Sequence, residues 1–409
     1  MRYGKTILLV LLLLSVINGC FSPQGKPIPP PELTQPTSWP GPDRLKLWEK
    51  GEWFLSGVNY PWLNYGHDFG VAPPWLHDGV SQQESMVRVD SEFSNLAKAG
   101  VHVVRWFIFG DGRASPEFGA DGKVTGLDDY FFKDMDTALS LAKKHSIYLM
   151  PVLLDFCVAL PPKCKKDGIQ EADSPQLGQR ASMFLPENQK SFFDKALIPL
   201  LNKYGKNPNI FAWEVMNEPE GAMKVDDQES KDNNPVEQIH MQDFIKEAVR
   251  IIHTYESQKV TVGSKNRKYL DLWTNSRLDI YQYHHYDRLE KNGYLLDYKY
   301  ADMNAKFKLL NKPVIVGEFP TKMPAIVIGD KIEGTDRTLA NHFDTILKNG
   351  YAGGLAWSYG ATDPYSDFSN RTSEYARWLK AYEASVNISA TSTKPSLDEE
   401  TTDSIQDPY

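Results

Sequence analysis

The sequence predicts an α/β protein built as one (β/α)8 barrel, with a lipoprotein signal and tether before the barrel and a disordered tail after it. Three observations carry the prediction. Short apolar runs rich in β-branched and aromatic residues alternate with longer helical patterns, as in a parallel sheet with crossover helices. The strand-like runs number about eight, which is the number that closes a barrel. The 409 residues exceed the usual single-core size, yet barrels of this kind reach such lengths as one domain.

At the N-terminus, Arg2 and Lys5 precede an apolar run from Ile7 to Leu14, and Ile17-Asn18-Gly19-Cys20 follows. This resembles a secretory signal ending in a bacterial lipobox, so residues 1–19 are expected to be a signal peptide and Cys20 the lipidated residue. The run is too short to span a bilayer comfortably. The implied localisation is export, with the protein hung by acyl chains from a membrane at the cell surface or periplasmic face. Residues 20–44 carry Pro23, Pro27, Pro29, Pro30, Pro31, Pro36, Pro40 and Pro42 and read as an extended tether. Residues 389–409 are rich in Ser, Thr, Asp and Glu and are expected to be a disordered acidic tail.

The barrel domain is placed at residues 45–388. Its expected strands are 53–60, 101–109, 148–156, 210–217, 259–263, 280–284, 313–318 and 354–358, and helical patterns include 127–145, 188–204, 238–255, 302–310 and 337–348. Asn349-Gly350 is positioned to cap the last of these. The fifth crossover, near residues 269–274, is the shortest unit. An open doubly wound sheet is the competing topology, but Gly57-Val58-Asn59-Tyr60-Pro61 after the first strand offers no phosphate cradle.

The formal charge is −8, and loss of Arg2 and Lys5 with the leader makes it −10. An acidic chain lacks the basic footprint that nucleic acid or anionic headgroups require, so no nucleic-acid partner is expected. Apart from Cys20, the cysteines are Cys157 and Cys164, close together in one segment. In an exported protein they form a disulfide or stay as two thiols. No Cys/His cluster has metal-ligand spacing, so neither metal nor cofactor is expected.

In parallel barrels the chemistry sits at the C-terminal strand ends. The fourth strand runs into Asn217-Glu218-Pro219 and the seventh into Gly317-Glu318-Phe319, so a Glu stands where each apolar run stops. Glycoside hydrolysis needs two carboxyl groups flanking the scissile bond, and strand ends four and seven face one another across the mouth. A separation of about 5 Å is the arrangement that retains anomeric configuration.

With these residues in view, the chain resembles clan A glycoside hydrolases, family 5 most closely, over about residues 53–381. The resemblance rests on Asn217-Glu218-Pro219, Gly317-Glu318-Phe319, Val104-Arg105, His284-His285-Tyr286 and Ala356-Trp357-Ser358. It implies that Glu218 is the acid/base and Glu318 the nucleophile. Arg105 and Tyr286 would hydrogen-bond Glu318, and His284 would line the cleft near Glu218. Asn217 would bind the sugar 2-hydroxyl, and Trp357 would form the stacking floor. Strand alternation sends His284 and His285 to opposite faces, and His284 is preferred because it keeps the His-any-Tyr spacing to Tyr286.

The implied substrate is a β-linked polysaccharide or oligosaccharide. Trp213-Glu214 before Asn217-Glu218-Pro219 is similar to family members acting on β-1,4-mannan, which favours an endo-β-1,4-mannanase over an endo-β-1,4-glucanase or an exo-β-glycosidase. Two departures bear on the linkage: Leu154-Asp155-Phe156-Cys157 lacks the His or Asn expected after strand three, and residues 60–70 form an elaborate first loop. Trp62, Tyr65, Trp75 and Trp106, with Asp68, Asp111, Arg113 and Asp155, are further candidates either for sugar contact or for ordinary loop packing. Two other classes compete: a non-catalytic surface glycan-binding lipoprotein, and a metal-dependent hydrolase using His284, His285 and nearby Asp residues.

Overall fold

A computed structural model describes residues 45–46, 48–71, 77–160, 178–226, 234–255, 258–286, 299–322 and 338–385, with 326–328 and 331–333 through their backbone. The signal, Cys20, the tether, Trp75, Cys164 and the acidic tail lie outside the described residues.

Eight parallel strands close into a barrel: β1 (Leu55–Asn59), β2 (Val103–Phe107), β3 (Tyr148–Asp155), β4 (Trp213–Asn217), β5 (Val260–Ser264), β6 (Tyr281–His284), β7 (Val314–Pro320) and β8 (Gly353–Trp357). Every neighbouring pair is parallel, and β1 closes the ring by pairing with both β2 and β8. These are the eight apolar runs of the sequence. All eight are buried along their whole length, which is why they read as continuous apolar segments rather than alternating ones.

Helices return the chain between strands: α1 (Gln83–Ala99), α2 (Asp129–Lys144), α3 (residues 186–204), α4 (Gln238–Ile252), α5 (Tyr300–Phe307), α6 (Leu339–Lys348) and α7 (Thr372–Ser385). The chemistry of their ends is visible in the sequence. Asp128 caps α2 by accepting from Phe131 N at 2.7 Å, and Thr338 caps α6 by accepting from Asn341 N at 3.1 Å. Gly350, at φ +83°, follows the end of α6, as Asn349-Gly350 predicts. α3 is regular at Pro186–Phe192 and Ile198–Tyr204, with one wide π turn, Phe193–Leu197, between them. The fifth crossover is the 3-10 run Arg267–Ser276, so the weakest helical pattern corresponds to the least regular connection.

Aromatic packing closes the ends of this frame. Trp48 donates its indole N–H to Ala352 O at 3.1 Å and sits edge-on to Phe211 at 5.2 Å, at the strands' N-terminal ends. Phe343 of α6 and Trp378 of α7 stack at 4.6 Å, and Phe54 packs against both, sealing the β1–β8 seam. Removing such a ring costs about 3–5 kcal/mol in a packed core.

Candidate active site

Arg105 on β2 lies at the centre of the strand ends and is fully buried. All five of its N–H donors are used. Nε and Nη2 donate to Glu214 of β4 at 2.7 and 2.6 Å, Nη1 to Asn59 Oδ1 of β1 and to Glu318 Oε1 of β7, both at 2.8 Å, and Nη2 also to Asn217 Oδ1 at 2.7 Å. A guanidinium has five donors in a fixed fork, so this network leaves it one orientation. Burial works against its charge, but Glu214 and Glu318 outweigh that and hold its pKa above the usual value.

Glu218 follows β4 directly and stands in the left-handed region, φ +43° and ψ +52°. A non-glycine residue there costs about 1–2 kcal/mol, and the following Pro219 disfavours the ordinary helical alternative. Its backbone N–H is held by Gly263 O of β5 at 2.6 Å. The strain sits where the carboxyl must leave the strand direction and turn into the cleft.

Glu318 accepts from Tyr286 Oη at 2.8 Å as well as from Arg105. Burial pushes its carboxyl above the usual carboxylate range; His284 and Arg105 pull it back, the neighbouring Glu218 pushes again, and the Tyr286 hydroxyl lowers it. Burial and the Glu318 charge keep the Tyr286 phenol protonated well past its ordinary range. His284 Nδ1 lies 2.8 Å from Glu218 Oε1 and 3.6 Å from Glu318 Oε2. Burial opposes its protonation, yet the two carboxylates leave its pKa raised. His285 is buried on the other face, and its backbone N–H donates to Glu318 O.

One oxygen of Glu218, one of Glu318 and a ring nitrogen of His284 all lie within 4.8 Å of one another. The trio could also hold a metal ion, which would occupy the same two carboxylates. Around them is a cleft of about 490 Å³ lined by Trp62, Phe107, Asp155, Phe156, Asn217, Lys265 and Tyr286, with Trp357 and residues 362–365 on the β8 side. Trp357 forms a small apolar cluster with Phe107 and Val152, against which Trp62, Tyr286 and Tyr365 pack. Asp363 fixes the indole by accepting from its Nε1 at 2.9 Å. A rigid aromatic face beside paired carboxyls suits the apolar face of a pyranose.

The other sequence candidates separate. Trp62 borders the cleft and also an adjoining 540 Å³ cavity lined by residues 63–65, His67 and Arg88. Tyr65 packs edge-on to Trp62 at 4.8 Å and lies under the Arg113 guanidinium. Trp106, a candidate for sugar contact, is core: it packs against Tyr60, Phe69 and Phe93 and donates to Asp68. Asp68 also accepts from Leu63 N and Asn64 N, so it shapes the first loop. Asp111 and Arg113 pair with each other behind that loop at 2.6 Å. Cys157 is buried in the turn Phe156–Val158. Sequence reasoning did not single out Asn59, Gln282 or Asp363, and it quoted Glu214 only as part of a motif. The available signal was a polar residue inside an otherwise apolar buried strand, which persists only when it is paired.

A closed (β/α)8 barrel with two carboxylates whose nearest oxygens lie within 4.8 Å at the ends of its fourth and seventh strands, beside an indole, is the architecture of a glycoside hydrolase. Residues 77–363 match the family model "Cellulase (glycosyl hydrolase family 5)", and the chain belongs to that family. It is 26% identical over 344 residues to a mannan endo-1,4-beta-mannosidase of Mytilus edulis, covering 76% of this chain and 84% of the relative. A protein of the same name from Cryptopygus antarcticus is 26% identical over 362 residues, covering 78% and 84%. The fold is similar to the solved beta-mannanase of Mytilus edulis (TM-score 0.60, 24% identity, 80% of this chain and 92% of that one). It is also similar to the beta-1,4-D-mannanase of Cryptopygus antarcticus (TM-score 0.63, 23% identity, 80% and 90%).

Proposed function

We propose that this glycoside hydrolase is a retaining endo-β-1,4-mannanase in which Glu318 is the nucleophile and Glu218 the acid/base. The observation that carries the mechanism is the closeness of the two carboxylates, one oxygen of Glu218 lying within 4.8 Å of one oxygen of Glu318. Retaining enzymes hold the pair about 5–5.5 Å apart, whereas inverting ones need about 6.5–9.5 Å to admit a water. Glu318 attacks the anomeric carbon while Glu218 protonates the departing glycosidic oxygen. Water then enters, Glu218 takes its proton, and the Glu318 ester is released.

The roles follow from surroundings. Glu318 carries the hydrogen bonds from Arg105 and Tyr286 that favour its anion, whereas Glu218 pairs with His284 and lines the same cleft. The named relatives support mannan as substrate. Endo action is supported by the second cavity that adjoins the cleft at Trp62 and Thr362 and so offers room for further sugar units.

Product sizing on mannan, glucomannan, carboxymethylcellulose and β-glucan tests this reading. The expected result is internal cleavage of mannan with retained configuration, abolished in Glu218→Gln and Glu318→Gln. Equal sugar release by wild type and Glu218→Gln would overturn it. The same proposal includes export and acylation at Cys20, for which Cys20→Ala should move the protein from the membrane to the soluble fraction.

A further inference from the structure

We infer that Asp155 is a direct contact for the hydroxyl at C2 of the sugar being cleaved, and that it fixes Asn217 as a donor to the same hydroxyl. The inference rests on the retaining reading above. β3 and β4 place Asp155 and Asn217 side by side in register. Asn217 Oδ1 accepts from Arg105 Nη2 at 2.7 Å, and its Nδ2 donates to Asp155 Oδ2 at 2.8 Å. An arginine only donates and a carboxylate only accepts, so the amide cannot flip.

The location follows from the same guanidinium. Arg105 holds Glu318 Oε1 on Nη1 and Asn217 Oδ1 on Nη2, so the amide is seated one guanidinium width from the nucleophile. The carbon that Glu318 attacks is C1, and C2 is its neighbour. Asn217 has a second Nδ2 hydrogen. Asp155 accepts one protein donor per oxygen, from Cys157 N at 2.8 Å and from Asn217, and a carboxylate has about four acceptor positions. Both residues line the cleft.

A hydroxyl donates once and accepts as well. An N–H and a carboxylate oxygen, already 2.8 Å apart, therefore satisfy it in both roles. The bond to the carboxylate is charge-assisted, so it is the stronger of the two. Contacts at the 2-hydroxyl tighten as positive charge builds at C1, which makes this pair act on the transition state rather than on binding alone.

The test compares 2,4-dinitrophenyl β-mannobioside with its counterpart bearing fluorine in place of the 2-hydroxyl of the cleaved sugar, in wild type and Asp155→Asn. Dinitrophenolate release reports attack by Glu318 in both. Fluorine cannot donate, so Asp155→Asn should lose about 10- to 100-fold on the hydroxyl substrate and no more than about threefold on the fluoro substrate. Equal losses on the two, or none on either, would overturn the assignment. Should Asp155→Asn fail to fold, a crystal structure of Glu218→Gln with a manno-oligosaccharide decides: O2 in hydrogen-bond contact with Asp155 supports the assignment, and a separation beyond about 4 Å overturns it. If only the corresponding β-gluco pair is hydrolysed, mannan is the wrong substrate, and that pair then provides the same comparison.

Discussion

Arg105 and Glu214 meet through two nearly parallel hydrogen bonds, Nε to Oε2 at 2.7 Å and Nη2 to Oε1 at 2.6 Å, with both side chains wholly buried. Glu214 lies on the same strand that ends in Glu218, yet its partner is the arginine that holds Glu318. Gln282 of β6 donates to Glu214 Oε2 at 2.8 Å, which ties a third strand into the arrangement. The proposed nucleophile Glu318 is thus held by a guanidinium whose aim is set by a third carboxylate, on the strand that ends in Glu218.

Replacing Glu214 by Gln removes a charge from a buried pair and turns one acceptor into a donor facing Arg105. Breaking such a pair costs about 3–5 kcal/mol, because the remaining charge stays buried. Glu214→Gln should therefore unfold at markedly lower denaturant. It should also lose at least about tenfold in kcat, through a guanidinium no longer aimed at Glu318. Equilibrium unfolding and steady-state kinetics on the same preparation check both, and a wild-type kcat would show that Arg105 needs no such support.

Gly263 of β5 leaves the space this network occupies. A Cβ there would meet Glu214 Oε1 and Gln282 Nε2, and would come 3.1 Å from His284 Nε2. Glu214 Oε1 is held by Arg105 Nη2 and Gln282 Nε2 by Glu214 Oε2, so neither of these side-chain ends can swing away freely. Gly263→Ala should cost about 1–3 kcal/mol of stability by overpacking and lower kcat by displacing His284 from Glu218. Gly126→Ala, where a Cβ would meet only Glu117 Oε2 at 3.8 Å, is the control for the overpacking term. Equal kcat in wild type and Gly263→Ala would dissociate His284 placement from this contact.

Much of this was legible before the structure. The eight strands follow from apolar runs, and Glu218 and Glu318 follow from where two runs stop. What was hidden is which polar residues share a partner. Asn59, Glu214 and Gln282 are polar interruptions in three different strands, and no local pattern says that Arg105 and its neighbours gather them. Trp106 was open between sugar contact and packing, and the structure gives packing. Successive strand residues face opposite ways, so with Arg105 inward, Trp106 points outward among Tyr60, Phe69 and Phe93, while Phe107 returns to the cleft.

Tyr286 has a measurable effect on the acid side of the pH profile. Glu318 must be ionised to attack, and burial raises its pKa, so activity should fall at a higher pH on the acid side than an ordinary carboxylate would give. The Tyr286 hydroxyl bonds Glu318 Oε2 at 2.8 Å and acts in the opposite sense, favouring the anion. Tyr286→Phe removes that donor, so the Glu318 pKa rises further and the acid limb of kcat/KM moves to higher pH. A limb that stays in place, or moves to lower pH, would contradict this account.

Stability should carry its own pH signature, set by Glu220. This carboxyl is fully buried two residues past Glu218, accepting from Lys265 N and from Trp273 Nε1, both at 2.9 Å. Burial raises its pKa from 4.5 to about 7, against the pull of those donors. The folded protein therefore keeps this proton up to about pH 7, whereas the unfolded chain releases it near 4.5. Between those values the folded state binds more protons, so its stability is full below the lower value and is lost as pH rises through the upper one, by about 3 kcal/mol in all. Asp68, raised by burial to about 6, adds a slope of the same sign over a lower window. Glu220→Gln cannot titrate, so unfolding free energies measured from pH 4.5 to 8 should decline less steeply in this variant than in wild type, most visibly above pH 6. Parallel curves would mean that Glu220 is already ionised throughout that range.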